Sequence, residues 1–202
     1  RVEIKVLPAS QLGGERAIIE GVQQCTARAD LGFGFAQAMR AFVREDPDVI
    51  LIGEVRDGET ALDAMRASQT GHLVLSTLHC NDAVDAVQRL FDLGVHPNTV
   101  SSELLAVFAQ RLAKRLCPSC REEAEPENAL LAEVFPRGVP QAFRCFRGRG
   151  CVRCHGHGTF ERIAVVEYLP VGPALRRAIS ERLQIDALRA LARRHGWEPM
   201  RS

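Results

Sequence analysis

Residues 46–83 read DPDVILIGEVRDGETALDAMRASQTGHLVLSTLHCNDA, two short apolar runs on either side of a helix-length segment of small residues. Val49-Ile50-Leu51-Ile52 is an unbroken aliphatic run, as expected of a strand covered on both faces. Thr60 to Ser68 reads as a small-residue helix closed by Gly71, and Leu73-Val74-Leu75-Ser76 as a second buried strand. Strand, helix and strand in this order predict a parallel α/β sheet. Upstream, Phe35 to Arg44 places Phe35, Met39, Phe42 and Val43 at helical spacing, and Pro47 ends that helix. Val2 to Leu7 alternates and predicts a strand, followed by a loop from Pro8 to Gly14. Downstream, Asp82 to Leu93 predicts a helix with Val84, Val87, Leu90 and Phe91 inward and Gly94 as its stop. Val100 to Leu116 reads as a longer amphipathic helix.

The polar residues at the ends of these strands carry the chemistry. The first strand runs into Gly53 and Glu54, followed by Arg56 and Asp57. The second runs into Ser76, Thr77, His79 and Asn81. Parallel strands place these groups at one edge of the sheet, where open α/β sheets bind ligands. An acid at the end of a buried strand can orient water or hold magnesium through it beside phosphates. His79, paired with Glu54 across one strand–helix–strand unit, becomes a phosphate-sensing candidate.

The 202 residues leave room for one ordinary domain and a small module. With 46% hydrophobic and 25% charged residues, the chain is neither wholly disordered nor collagen-like. Net charge is +1, so bulk charge points to neither a nucleic-acid nor a membrane partner. Residues 1–110 nevertheless hold 9 basic and 15 acidic side chains, and residues 111–202 hold 17 and 10. That asymmetry suggests two parts with different work. No apolar stretch is long enough to span a membrane, and Arg1-Val2-Glu3-Ile4-Lys5 has no apolar signal core, so the expectation is a cytosolic chain.

Four of the seven cysteines form two CxxC pairs, Cys117/Cys120 and Cys151/Cys154, 30 residues apart. Each pair can grip one ion from a tight turn, and two pairs complete a tetrahedron suited to Zn2+. Four sulfurs leave no position for water, so such a metal is structural. The segment from 117 to 160 is rich in Gly, Pro, Glu and Arg and needs a staple of this kind. Cys145, His155 and His157 lie near enough in sequence to substitute as ligands. Arg147, Arg149 and Arg153 could meet phosphates of a nucleic acid, but aromatics are 5% of the chain, too few for stacking platforms. Beyond the module, the apolar run Arg162–Leu169 is followed by helical patterns at Ala174–Ser180 and Ile185–His195.

Residues 46–83 closely resemble the Walker B and histidine-box region of the type II secretion and type IV pilus assembly ATPases. AQRLAKRLCPSC (109–120) and GCVRCHGHGTFERIAVVEYL (150–169) look like that family's four-cysteine zinc region and the return to its ATPase domain. The resemblance implies a partial RecA-like P-loop ATPase core over residues 1–115, a zinc module over 116–161 and a C-terminal helical subdomain over 162–202. It implies Glu54 as the Walker B glutamate and His79, with His72, as the histidine box. Arg56, Asp57, His72 and Thr77 become nucleotide-binding candidates, and Cys117, Cys120, Cys151 and Cys154 zinc ligands. The implied cofactors are ATP, Mg2+ and Zn2+. The implied setting is a hexameric homo-oligomer at the cytoplasmic face of the inner membrane, working with platform proteins of a pilus or secretion machine and without nucleic acid.

The sequence departs from that family's pattern at several points: Walker A and the acidic box are both missing, and Trp197-Glu-Pro-Met-Arg-Ser202 stops short of the family's usual last helices. A P-loop needs Gly-x-x-x-x-Gly-Lys-Ser/Thr, whose amides and lysine cradle phosphates. Lys5 and Lys114 are the chain's only lysines and neither follows a glycine. RVEIKVLPASQLGGERAI (1–18) looks like the family strand before Walker A, and IIEGVQQC (18–25) like the segment just after the acidic box, so the block between them is missing. The expectation is therefore a motor ATPase by descent whose isolated chain is inactive. The alternative is a non-catalytic, zinc-stabilised docking module that binds an inner-membrane platform protein.

Overall fold

Four short strands, only two of them aliphatic throughout, pair as one sheet. The computed structural model describes residues 3–7, 22–27, 31–135 and 138–200; most of the segment read as a junction, residues 8–21, lies outside them. The chain divides into two compact units, Arg1–Ala109 with Glu167–Ser202, and Gln110–Val166.

In the first unit, strands β1 (Glu3–Leu7), β2 (Val22–Thr26), β3 (Val49–Ile52) and β4 (Leu73–Leu75) form a sheet in the order β2-β1-β3-β4. Every ladder is parallel: Glu3 faces both Val22 and Val49, and Val49 faces Leu73. Parallel neighbours require crossovers. Helix α1 (Phe35–Phe42) lies in the connection from β2 to β3, and α2 (Gly58–Gln69) in that from β3 to β4. Met39, Ile50, Ile52, Ala64 and Ala67 form the buried layer between helices and sheet. The chain passes from β1 to β2 on one side and then to β3 on the other side of β1, so the order reverses between β1 and β3, and open α/β sheets bind ligands in the crevice beyond the carboxyl ends at such a reversal.

The second strand read as buried is not. Leu73 and Leu75 of β4 are 44% and 45% exposed. The strand is outermost among the described residues, and only its Val74 face meets the core.

The rest of the first unit is helical. Helices α3 (Asp85–Asp92), α4 (Pro97–Glu103), α6 (Pro173–Ser180) and α7 (Ile185–Arg194) surround a core of Val87, Leu90, Val100, Leu169, Ile179, Leu188 and Trp197. Gly94 takes φ +85 where α3 stops, the left-handed step that a glycine supplies without strain.

The long helix expected over Val100–Leu116 is replaced by α4 and a strand, β5 (Ala106–Leu116). The residues AVFAQRLAKRL are good helix formers, but their backbone groups are taken by β8 (Thr159–Pro170). Val171 N–H donates to the Leu105 carbonyl and Cys117 N–H to the Gly158 carbonyl, so the two strands run antiparallel. Strand pairing overrides a weak local preference.

The second unit contains the outer parts of β5 and β8, an antiparallel hairpin of β6 (Arg121–Glu123) with β7 (Phe146–Gly148), and α5 (Asn128–Val134). Gly148 is forced by contact: a Cβ there would lie 1.9 Å from the Gly158 carbonyl oxygen.

Candidate functional site

Strand β3 delivers Glu54 to the crevice. Its carboxylate is buried, with the exposed Nη2 of Arg56 2.7 Å from Oε1 and Nε2 of His79 3.4 Å from Oε2. The Arg56 contact is an ion pair without hydrogen-bond alignment, and Oε1 has no hydrogen-bond donor among the described residues. An acceptor buried in this way can take a donor from an incoming water or metal hydrate. Thr77 joins the two strand ends: its hydroxyl donates to the Gly53 carbonyl at 2.8 Å, and its own carbonyl accepts from Val55 N–H at 3.0 Å. Glu54, Arg56, Thr77 and His79 are therefore together at one edge of the sheet.

Asp57 and His72 are held elsewhere. The Asp57 carboxylate caps α2, accepting from Thr60 N–H at 2.8 Å and from the Thr60 hydroxyl at 3.1 Å. Replacing Asp57 by Ala should cost about 1 kcal/mol of stability in urea unfolding, while Asn retains most of it. His72 precedes β4, at the opposite end of that strand from His79. Its Nδ1 lies 2.9 Å from the Ala67 carbonyl oxygen and 3.0 Å from the Thr70 hydroxyl, and its Nε2 is buried without a hydrogen-bond partner among the described residues.

The carboxyl end of the His79 loop is gripped by residues that the sequence reading did not single out. Glu167 of β8, buried, accepts on Oε1 from Ala83 N–H at 2.7 Å and from the Trp197 indole N–H at 3.0 Å, and on Oε2 from Met200 N–H at 3.1 Å. Arg189 of α7 pairs with Asp82 at 3.2 Å and with Asp85. Burial alone would lower the Arg189 guanidinium, but the facing carboxylates of Asp82 and Asp85 raise it above its ordinary range. The available signal for Glu167 was a carboxylate inside the apolar run IAVVEYL, an expensive placement unless donors meet it.

In the second unit, Cys117, Cys120, Cys151 and Cys154 bring their sulfurs within 4.8 Å of one another. Neighbouring pairs lie 3.8, 3.8 and 3.7 Å apart. The edge of a tetrahedron with Zn–S bonds near 2.3 Å is about 3.8 Å, so the donor set fits zinc. Cys145, His155 and His157 are not part of this group. Burial pushes the Cys120 thiol up to about 12. Burial also acts to raise Cys154, but the N–H groups of Cys151 (3.2 Å) and Gly158 (3.3 Å) donate to its sulfur and bring it down to about 6. Of the nearby arginines, Arg147 pairs with Glu122 at 2.9 Å and Arg153 lies over the Phe160 ring.

The family model for type II/IV secretion system proteins matches residues 16–202. The chain belongs to this family. Among curated members, the type IV pilus assembly ATPase PilB of Thermus thermophilus is 41% identical over 184 residues, covering 91% of this chain and 21% of that protein. Type II secretion system protein E of Klebsiella pneumoniae is 47% identical over 161 residues, covering 80% of this chain and 32% of its own. This secretion-family chain thus spans less than half the length of either relative. Among solved structures, the pilus retraction motor PilT, with bound ADP, superposes with a TM-score of 0.61 at 26% identity, covering 93% of this chain and 43% of that one. The Legionella pneumophila ATPase DotB gives 0.57 at 17% identity, over 95% and 43%, a likeness of fold alone. The fold is the RecA-like α/β class, with the four-cysteine cluster in its own unit.

Proposed function

We propose that this chain carries the carboxylate-and-histidine side of a motor ATPase site that drives type II secretion or type IV pilus assembly. The observation that supports it is the meeting of Glu54 and His79, 3.4 Å apart, at the crevice end of β3, within a chain of this family. In this reading Glu54 would hold hydrated Mg2+ and orient the attacking water, and His79 would contact the phosphates of ATP. Arg56 and Thr77 border the same space, with His72 and Asp57 acting from the surrounding elements. Bound Mg2+ would neutralise phosphate charge. The exposed Arg56 guanidinium can swing away from Glu54 and leave the carboxylate to its new partner.

The chain works, in the same reading, as one subunit of a hexamer at the cytoplasmic face of the inner membrane, against platform proteins, with Zn2+ held by Cys117, Cys120, Cys151 and Cys154. Phosphoryl transfer is catalysed almost entirely by positioning and charge. Without the glycine loop and its lysine, the purified 202-residue chain should show no Mg2+-dependent ATP hydrolysis above buffer. Turnover that Glu54→Gln abolished would overturn that expectation.

A chimera tests the site itself. Joined to the P-loop half of the Thermus relative, this chain should support Mg2+-dependent hydrolysis that Glu54→Gln lowers by roughly a hundredfold or more. A folded, zinc-loaded chimera without turnover counts against the assignment. The second reading, a zinc-stabilised docking module, is favoured by the four-sulfur cluster in a unit of its own. It predicts zinc-dependent retention of an inner-membrane platform protein in a pull-down.

A further inference from the structure

His79 is the most exposed ionisable side chain of the crevice group, at 84% against 66% for Arg56. Contacts to the ring itself therefore do not set its position beside Glu54. The position is set by the loop that carries it, and that loop is short and held at both ends.

The amino end is fixed inside the site, where Thr77 bonds to Gly53 and Val55. The carboxyl end is fixed by the C-terminal segment of the chain. Asp82 is paired to Arg189, and Ala83 N–H is received by Glu167 Oε1, the same oxygen that receives the Trp197 indole. Asp82 also accepts from Asp85 N–H at 2.8 Å and so begins α3, which ties the loop's end to a helix. Five residues separate Thr77 from Ala83, too few for the apex to stay in place once either end shifts.

We propose that Glu167 and Arg189 are positioning residues for His79, so that the packing of α7 and the Trp197–Met200 tail sets whether the imidazole faces Glu54. The proposal rests on the functional reading above for its consequence, but not for its geometry. A change in the C-terminal segment would then reach the nucleotide side of the sheet through two side chains.

Glu167 offers an internal control. Its Oε1 serves Ala83 and Trp197, while Oε2 serves Met200. Glutamine keeps one acceptor oxygen and can retain the first pair; leucine keeps none.

The test is a mutant cycle on the full 15N-labelled, zinc-loaded chain, read from the His79 imidazole signals. In the wild type, Glu54→Gln should displace those signals, because the carboxylate lies beside Nε2. In Arg189→Met or Glu167→Leu the same Glu54→Gln displacement should fall to roughly half or less, and Glu167→Gln should restore it. A displacement of undiminished size in Arg189→Met and Glu167→Leu overturns the proposal. Should Glu167→Leu fail to fold, Arg189→Met decides, since that side chain is 29% exposed and its loss removes no core volume. A chimera without ATP hydrolysis would strike the functional reading and leave this coupling standing, so the two failures are distinct.

Discussion

Stripping zinc from this chain should unfold residues 110–166 and leave the first unit folded. Among the described residues, the buried hydrophobic side chains of the second unit are Cys117, Cys120 and Cys154, with Cys151 and Phe160 packed against them. Helix α5 buries no residue at all. A unit whose interior is four sulfurs has almost no apolar area to set against chain entropy once the metal is gone. Structural zinc binding supplies on the order of 10 kcal/mol, as much as the whole stability of an ordinary domain. Purified protein should hold one zinc per chain by elemental analysis. A strong chelator, or Cys154→Ser, should bring amide exchange across 110–166 to the free-chain rate while α2, α3 and α7 keep their protection. Binding must also expel the protons of the four thiols, so apparent zinc affinity should fall as pH is lowered. Unchanged protection in the chelated protein would show that the β6–β7 hairpin and its neighbours fold without metal.

The parts legible in the sequence were those whose chemistry is local. The aliphatic run before Glu54 marks a strand wherever it occurs, and paired CxxC turns mark a metal site because each pair is already a bidentate claw. Family resemblance then named both. The sequence did not show which backbone would take up the hydrogen bonds of residues 106–116. Alanine, leucine, glutamine, lysine and arginine favour a helix, and only the partner strand, 43 or more residues away in the chain, makes β5 a strand. The exposure of Leu73 and Leu75 is likewise a matter of where the sheet stops, which a three-residue apolar run does not encode. The partners of Glu167 and Arg189 were illegible for the same reason. These partners, Ala83 and Asp82, lie 84 and 107 residues away, and neither Glu167 nor Arg189 belongs to a motif. Asp57, read toward the nucleotide, is employed in capping α2. A carboxylate just before a helix serves both readings equally well until the amide that it receives is seen.

Trp197 should be the single most costly side chain to remove from the first unit. It is 2% exposed, packs in the core that contains Leu169, Ile179, Leu188 and Ala192, and gives its indole N–H to Glu167. Trp197→Ala leaves a large cavity and takes a donor from a buried carboxylate. Cavity formation alone costs about 3–5 kcal/mol for such a truncation. Trp197→Phe keeps most of the ring, so its cost should be dominated by the lost hydrogen bond to a charged group, about 1.5–3 kcal/mol. The two variants thus separate packing from polarity at one position. As Trp197 is the chain's only tryptophan, its fluorescence reports the wild-type transition and circular dichroism must report the variants. The midpoint in urea should fall for both, further for Ala. Equal midpoints for Phe and wild type would show that Ala83 and Met200 satisfy Glu167 without the indole. Glu167 would then keep its hold on the His79 loop through Ala83 and on the tail through Met200, and the indole would act by its apolar contact alone.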